Sequence, residues 1–103
     1  GVSLLCKEVN LNSSGMKDIL FQIGKNRKDL VAVLGSKKDN KPILSCYVSK
    51  ALVDQGTYKA NTIIQEISGY IKGGGGGQTF FATAGGKNPT GLSDALQAVK
   101  NLI

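Results

Sequence analysis

Residues 60–86 read ANTIIQEISGYIKGGGGGQTFFATAGG. Ala60, Ile63, Ile64, Ile67 and Ile71 recur on one face of a helical period, with Asn61, Thr62, Gln65, Glu66 and Ser68 on the other. This predicts an amphipathic helix that begins near Tyr58. It must end at Lys72, because five consecutive glycines follow and glycine is a poor helix former. Beyond the glycines, Thr79–Ala84 is β-prone but holds two alanines, so a strand and a short helix both stay open.

Upstream, Val2–Val9 is rich enough in β-formers for a first strand. Ser13 or Ser14 then caps a helix whose apolar face is Met16, Ile19, Leu20 and Ile23. Gly24, with Lys25, Arg27 and Lys28 after it, gives that helix a stop and charge that complements its dipole. Leu30–Leu34 is a continuous apolar run, as expected of a strand buried on both faces. After a polar turn, Leu44, Cys46 and Val48 alternate with Ser45, Tyr47 and Ser49, which predicts a half-buried second arm of a hairpin. Ala51–Val53 suits one helical turn. Downstream, Gly85–Gly91 reads as a loop, and Ser93 caps a last helix that buries Leu92, Ala95, Leu96, Val99 and Leu102. The pattern predicts one α/β domain over residues 1–103: a small mixed β-sheet covered by helices, with a glycine-rich loop after the second long helix.

The chain has 103 residues, a formal charge of +6, 14 glycines, two cysteines and no histidine. Without histidine it cannot form a Ser-His-Asp triad, a Cys-His dyad or a His-based zinc site from its own residues. Cys6 and Cys46 are too few for a disulfide scaffold and read as reduced thiols of a cytosolic protein. No stretch approaches the ~18 apolar residues of a membrane span, and no signal peptide is visible. The expected location is the cytoplasm. The missing initiator Met and the immediate start of a strand suggest a piece of a larger protein.

Gly73, Gly74, Gly75, Gly76 and Gly77 are the most unusual feature. A glycine loop can bring backbone N–H donors directly against phosphate oxygens or a sugar edge. The plainer account is a surface turn or tight packing against a neighbour. The run is not a P-loop: Asn88 follows Gly86-Lys87, and Phe81 stands where the first glycine belongs. Nor is it a dinucleotide fingerprint, since Gln78 takes the last glycine's place and the run follows a helix. Ala82-Thr83-Ala84-Gly85-Gly86 clears space again, and Lys72 and Lys87 bracket the loop. Gln78, Thr79, Thr83 and Asn88 offer hydrogen bonds beside it, and Phe80 or Phe81 could stack on a base. Six basic residues between 25 and 41 add to a balance that favours a polyanion. A bulky substitution such as Gly75→Val is expected to weaken binding without loss of fold.

The helix 60–67, the glycine run and Phe81-Ala82-Thr83-Ala84-Gly85-Gly86 together resemble the DHH-associated domain. More narrowly they resemble the globular part of the C-terminal (C-Ala) domain of alanyl-tRNA synthetase. The resemblance covers roughly residues 58–103 in order and spacing. It implies a non-catalytic module that binds tRNA(Ala), with the glycine loop near the outer corner of the tRNA. It implies a bridge between aminoacylation and editing, contact with other domains of the parent enzyme, and in some members a homodimer. ATP, magnesium and zinc would belong to the parent's other domains, and no cofactor is expected in this chain. A DHH-family phosphoesterase acting on nucleic acid or dinucleotides is the alternative. That branch resembles a Gly-Gly-Gly-His motif, and here Gln78 follows the glycines.

Overall fold

The computed structural model describes residues 2–102. Strand β1 (Ser3–Glu8) leads to helix α1 (Ser13–Gly24) and strand β2 (Leu30–Ser36). A turn through residues 38–40 returns the chain as β3 (Ile43–Val48). Its residues Asp39 and Asn40 take left-handed backbone, which asparagine and aspartate adopt more readily than most side chains. Helices α2 (Lys50–Gln55) and α3 (Ala60–Ile67) follow, the latter extended by a 3-10 turn at Ser68–Ile71. Strands β4 (Gly74–Gly77) and β5 (Phe81–Gly85), a 3-10 turn at Pro89–Gly91 and helix α4 (Leu92–Leu102) complete the fold.

The strands form one mixed sheet in the order β1-β2-β3-β5-β4. β1 and β2 are parallel and the other pairs antiparallel. The fold is α/β, with helices on both faces. Successive residues of β2 point to opposite faces. Leu30, Ala32 and Leu34 pack with Met16 and Leu20 of α1. Val31 and Val33 pack on the other side with Ile63, Ile64 and Ile67 of α3 and Ala95, Leu96 and Val99 of α4. The run 30–34 is therefore buried on both faces, as its composition predicts. Each fully buried Ile or Leu contributes roughly 1.5–3 kcal/mol. The apolar face of α3 emerges as read: Ala60, Ile63, Ile64, Ile67 and Ile71 are all buried, but Ser68, read on the polar face, is buried with them where the 3-10 turn begins.

The glycine-rich loop is a strand: Gly74–Gly77 pair with Ala82–Gly85. The physical reason is close approach. A Cβ on Gly75 would lie 2.1 Å from the Thr83 carbonyl oxygen, so only glycine lets β4 come this near β5. Of the two options for Thr79–Ala84, the strand forms. The cap of α1 is Asn12, whose Oδ1 accepts from the Gly15 amide at 2.8 Å, and Ser13 and Ser14 fall inside the first turn. Ile19 and Ile23 are exposed, because Met16, Leu20 and Gly24 form the line of contact. At Gly24 the missing side chain admits the Tyr47 ring, which a Cβ would meet at 2.2 Å.

Strand β3 is buried on both faces, not one. Ser45 and Ser49 are buried because β3 lies between β2 and β5 and under α1. Ser49 Oγ accepts from the Leu30 amide and donates to the Arg27 carbonyl, each at 3.0 Å. Ser93 lies inside α4, which the 3-10 turn at 89–91 starts instead, and Leu102 is exposed near the helix end. Cys6 and Cys46 are free thiols on strands separated by β2, each in register with Val33.

Candidate nucleic-acid interface

Strand β4 is the sheet edge, and its glycines alternate in what surrounds them. A Cβ on Gly73, Gly75 or Gly77 would strike β5 or the step just after it, at 2.0, 2.1 and 2.7 Å. A Cβ on Gly74 or Gly76 would meet nothing within 4 Å, and the same holds for Gly85 opposite Gly74. None of these three has positive φ. The fold itself therefore requires glycine at 73, 75 and 77 but not at 74, 76 or 85. An edge strand also leaves one row of its N–H and C=O groups without a strand partner.

The two lysines do not bracket the run at opposite ends. Because β4 and β5 are antiparallel, both stand at the Gly74–Gly85 end of the hairpin. The Ile71 carbonyl accepts from the Lys87 and Asn88 amides, each at 2.8 Å, which fastens the segment after β5 to the residue before Lys72. Lys72 holds φ 53° and ψ 49°, a left-handed conformation usual for glycine or asparagine. Both lysines are exposed, and among the described residues neither is ion-paired. Asn88 is engaged locally. Its Nδ2 donates to the Tyr70 carbonyl at 3.2 Å, and its Oδ1 accepts from the Thr90 hydroxyl at 2.6 Å.

Gln78 and Thr79 lie at the other end, in the β4–β5 turn. The Gln78 amide donates to the Phe81 carbonyl, and the Thr79 carbonyl accepts from the Ala60 amide at the start of α3. Thr83 is half-buried in β5, in register with Gly76 and Ser45. The strand thus brings Lys72, Gly74, Gly85, Gly86 and Lys87 together. It holds Gln78 and Thr79 apart from them by roughly 10 Å, the rise of a four-residue strand.

The basic residues of 25–41 divide between the same two ends. Lys37, Lys38 and Lys41 flank the β2–β3 turn, and the Gly86 amide donates to the carbonyl of Pro42 beside it. Lys37 is 3.8 Å from Glu8. Lys25, Arg27 and Lys28 lie at the opposite end, where the Arg27 carbonyl meets Ser49. Phe81 packs into the α1 side of the core, whereas Phe80 is 41% exposed. Phe80 is legible in the sequence as a candidate, but its neighbours Phe21 and Tyr47 are not, because they come from α1 and β3. Only the sheet order brings them together.

Among the described residues no three His, Cys, Asp or Glu side chains cluster, and no helix is long and apolar enough to cross a membrane. Burial pushes the Cys46 thiol far above the ordinary cysteine range, and burial also raises Cys6, whose Sγ donates to the Leu96 carbonyl at 3.1 Å. Neither thiol is disposed to act as a nucleophile at neutral pH.

The family model of the DHHA1 domain matches residues 1–103. The chain belongs to this family. This DHHA1 domain is similar to the crystal structure of the C-Ala domain from Aquifex aeolicus alanyl-tRNA synthetase. The TM-score is 0.81 at 26% identity, covering 98% of this chain and 86% of that one. It is 50% identical over 103 residues to an alanine–tRNA ligase of Christiangramia forsetii, covering 100% of this chain and 12% of that protein. To an alanine–tRNA ligase of Flavobacterium psychrophilum it is 42% identical over 97 residues, covering 94% and 11%. This DHHA1 domain therefore spans only a small part of the length of these relatives.

Proposed function

We propose that this DHHA1 domain is the tRNA-binding C-terminal module of an alanine–tRNA ligase, with no catalysis of its own. The glycine edge strand contacts the outer corner of tRNA(Ala), and the module helps link aminoacylation with editing in the other domains of the parent. The carrying observation is that Gly74, Gly76 and Gly85 are glycines the fold does not require. The Gln78 amide bonds the Phe81 carbonyl, so on the antiparallel ladder Gly74 and Gly76 turn their N–H groups toward β5 and Gly75 turns its own outward. The bare Gly74 and Gly76 on either side leave phosphate and ribose oxygens access to that outward N–H, which their side chains would crowd. Lys72 and Lys87 supply charge at one end of that surface. The relatives' names supply the nucleic-acid class. Gln78, standing where the phosphoesterase branch resembles a histidine, weighs against the alternative.

Phosphate contacts release counterions, so the logarithm of the binding constant falls linearly with that of the salt concentration. In a titration of tRNA(Ala) at increasing salt, Lys72→Ala reduces the slope by about 0.7–0.9, the value of one phosphate contact. Salt-independent binding, or a slope unchanged by both Lys72→Ala and Lys87→Ala, contradicts the reading.

A further inference from the structure

At the end of the glycine hairpin opposite the two lysines, the surface opens into a cleft of about 390 Å³. That is within the ~300–1,000 Å³ range of small-ligand pockets. Phe21, Tyr47 and Phe80 wall it, and Val48 and Val53 line its apolar part. Phe21 is the hub of the rings. Its centroid is 5.4 Å from Tyr47 and 6.4 Å from Phe80, both edge-on. Phe80 closes one side while leaving 41% of its own surface exposed. Its backbone is fixed, since the Phe80 carbonyl accepts from the Val48 amide at 2.9 Å, so the ring is presented from a rigid turn.

The polar groups at this cleft are Thr79, Lys50 and Asp54, the last two paired at 3.1 Å. The surroundings are cationic. Lys17 Nζ lies 5.9 Å from the Phe21 centroid and 5.8 Å from that of Phe81. Lys25 follows Gly24, whose carbonyl faces the Tyr47 hydroxyl at 3.5 Å, and Lys28 stands on the segment that meets Ser49, where Arg27 is paired with Asp29 at 3.6 Å. An aromatic slot in a basic surround suits a flat ring attached to an anionic backbone.

We propose that this cleft receives one unpaired nucleobase of the RNA that lies along β4, stacked on Phe80. The inference rests on the tRNA reading above and adds a site to it. The glycine edge and lysines hold the backbone without regard to sequence, and the slot selects RNA with a base free to leave its stack. Stacking on an aromatic ring tolerates any base, so the slot discriminates unpaired from paired RNA more than one sequence from another.

The test titrates the whole chain with tRNA(Ala), with a short single-stranded RNA of mixed sequence and with a blunt RNA duplex of that sequence. Phe80→Ala is expected to weaken binding of the single strand about tenfold, with duplex affinity and salt slope unchanged and the chain still folded, though melting lower for the lost Phe21 contact. Phe80→Tyr, which keeps a stacking face, restores the single-strand affinity. Equal affinity of Phe80→Ala and the parent chain for all three RNAs overturns the proposal. If Gly74→Val still weakens tRNA binding in that case, the glycine-edge reading survives alone. If the parent chain binds none of the RNAs, both fall.

Discussion

Lys87 donates its backbone N–H to the carbonyl oxygen of Ile71 at 2.8 Å, and Ile71 immediately precedes Lys72. One hydrogen bond therefore fastens the bases of two lysines that are far apart in sequence. The second amide on the same oxygen, from Asn88, and the Asn88 side chain on the Tyr70 carbonyl reinforce the junction. The pair of cations is a product of the hairpin and of this junction, not of local sequence.

Lys72 occupies a left-handed conformation at the end of the 3-10 turn, where a residue with a Cβ costs about 1 kcal/mol or more. Lys72→Gly removes that cost together with the charge. The expected result is a gain in Tm of roughly 4–8 °C per kcal/mol recovered, with weaker tRNA binding in the same variant. Calorimetry and a binding titration check the two halves. A lysine that aids stability as well as binding contradicts the assignment.

The glycines of β4 divide into two classes by substitution. Gly75→Val forces a Cβ to within 2.1 Å of the Thr83 carbonyl oxygen and 2.5 Å of the Ala84 Cα, both backbone atoms. The hairpin must separate, at a cost of about 3 kcal/mol or more. Urea denaturation is expected to report that loss, so this variant is unfit to test binding. Gly74→Ala meets nothing within 4 Å and reduces the freedom of the unfolded chain. It is expected to be neutral or stabilising by about 0.4–1 kcal/mol. Equal costs at 74 and 75 would contradict the alternation.

Gly24→Ala tests the packing that aims α1. The added Cβ meets the Tyr47 ring at 2.2 Å, and that ring already packs edge-on against Phe21. Overpacking of this kind costs about 1–3 kcal/mol. The measured quantity is the urea midpoint, and an unchanged midpoint contradicts the contact.

Asp29 links stability to acid pH. Its carboxylate accepts from the Ser3 hydroxyl at 3.0 Å, and this bond, with Arg27 at 3.6 Å, holds its pKa below the ordinary carboxylate value. The folded value lies below the unfolded one. The contribution is therefore full above the unfolded pKa and is lost as pH falls through the lowered folded value. Ser3→Ala is expected to raise the Asp29 pKa in an NMR titration and to flatten the acid limb of the stability curve. A pKa that does not move contradicts the Ser3 contribution.

The elements whose packing follows from periodicity were legible in the sequence. The isoleucines of α3 and the run 30–34 have one reading each, and both faces of β2 are buried as expected. What could not be read depends on neighbours distant in the chain. Glycine propensity argues for a loop at 73–77, and close approach to β5 overrides it. Ile19 and Ile23 match the apolar period of α1, yet Gly24 and Tyr47 turn that helix onto its 16–20–24 line. Of the site, the glycines and both lysines were visible as residue types. Their joining at one end of a hairpin, the prior engagement of Asn88 and the ring cluster around Phe80 required the sheet order.

On the proposed function the open glycines of β4 face RNA. Its most direct test is the affinity of tRNA(Ala) for Gly74→Val and Gly76→Val chains, with folding monitored by thermal melting on the same samples. A Cβ at either position meets nothing within 4 Å, and a valine there crowds the backbone that the RNA would meet. Melting is expected to stay normal and binding to weaken at least about tenfold, a loss near 1.4 kcal/mol. Normal melting with parental affinity in both variants would contradict it.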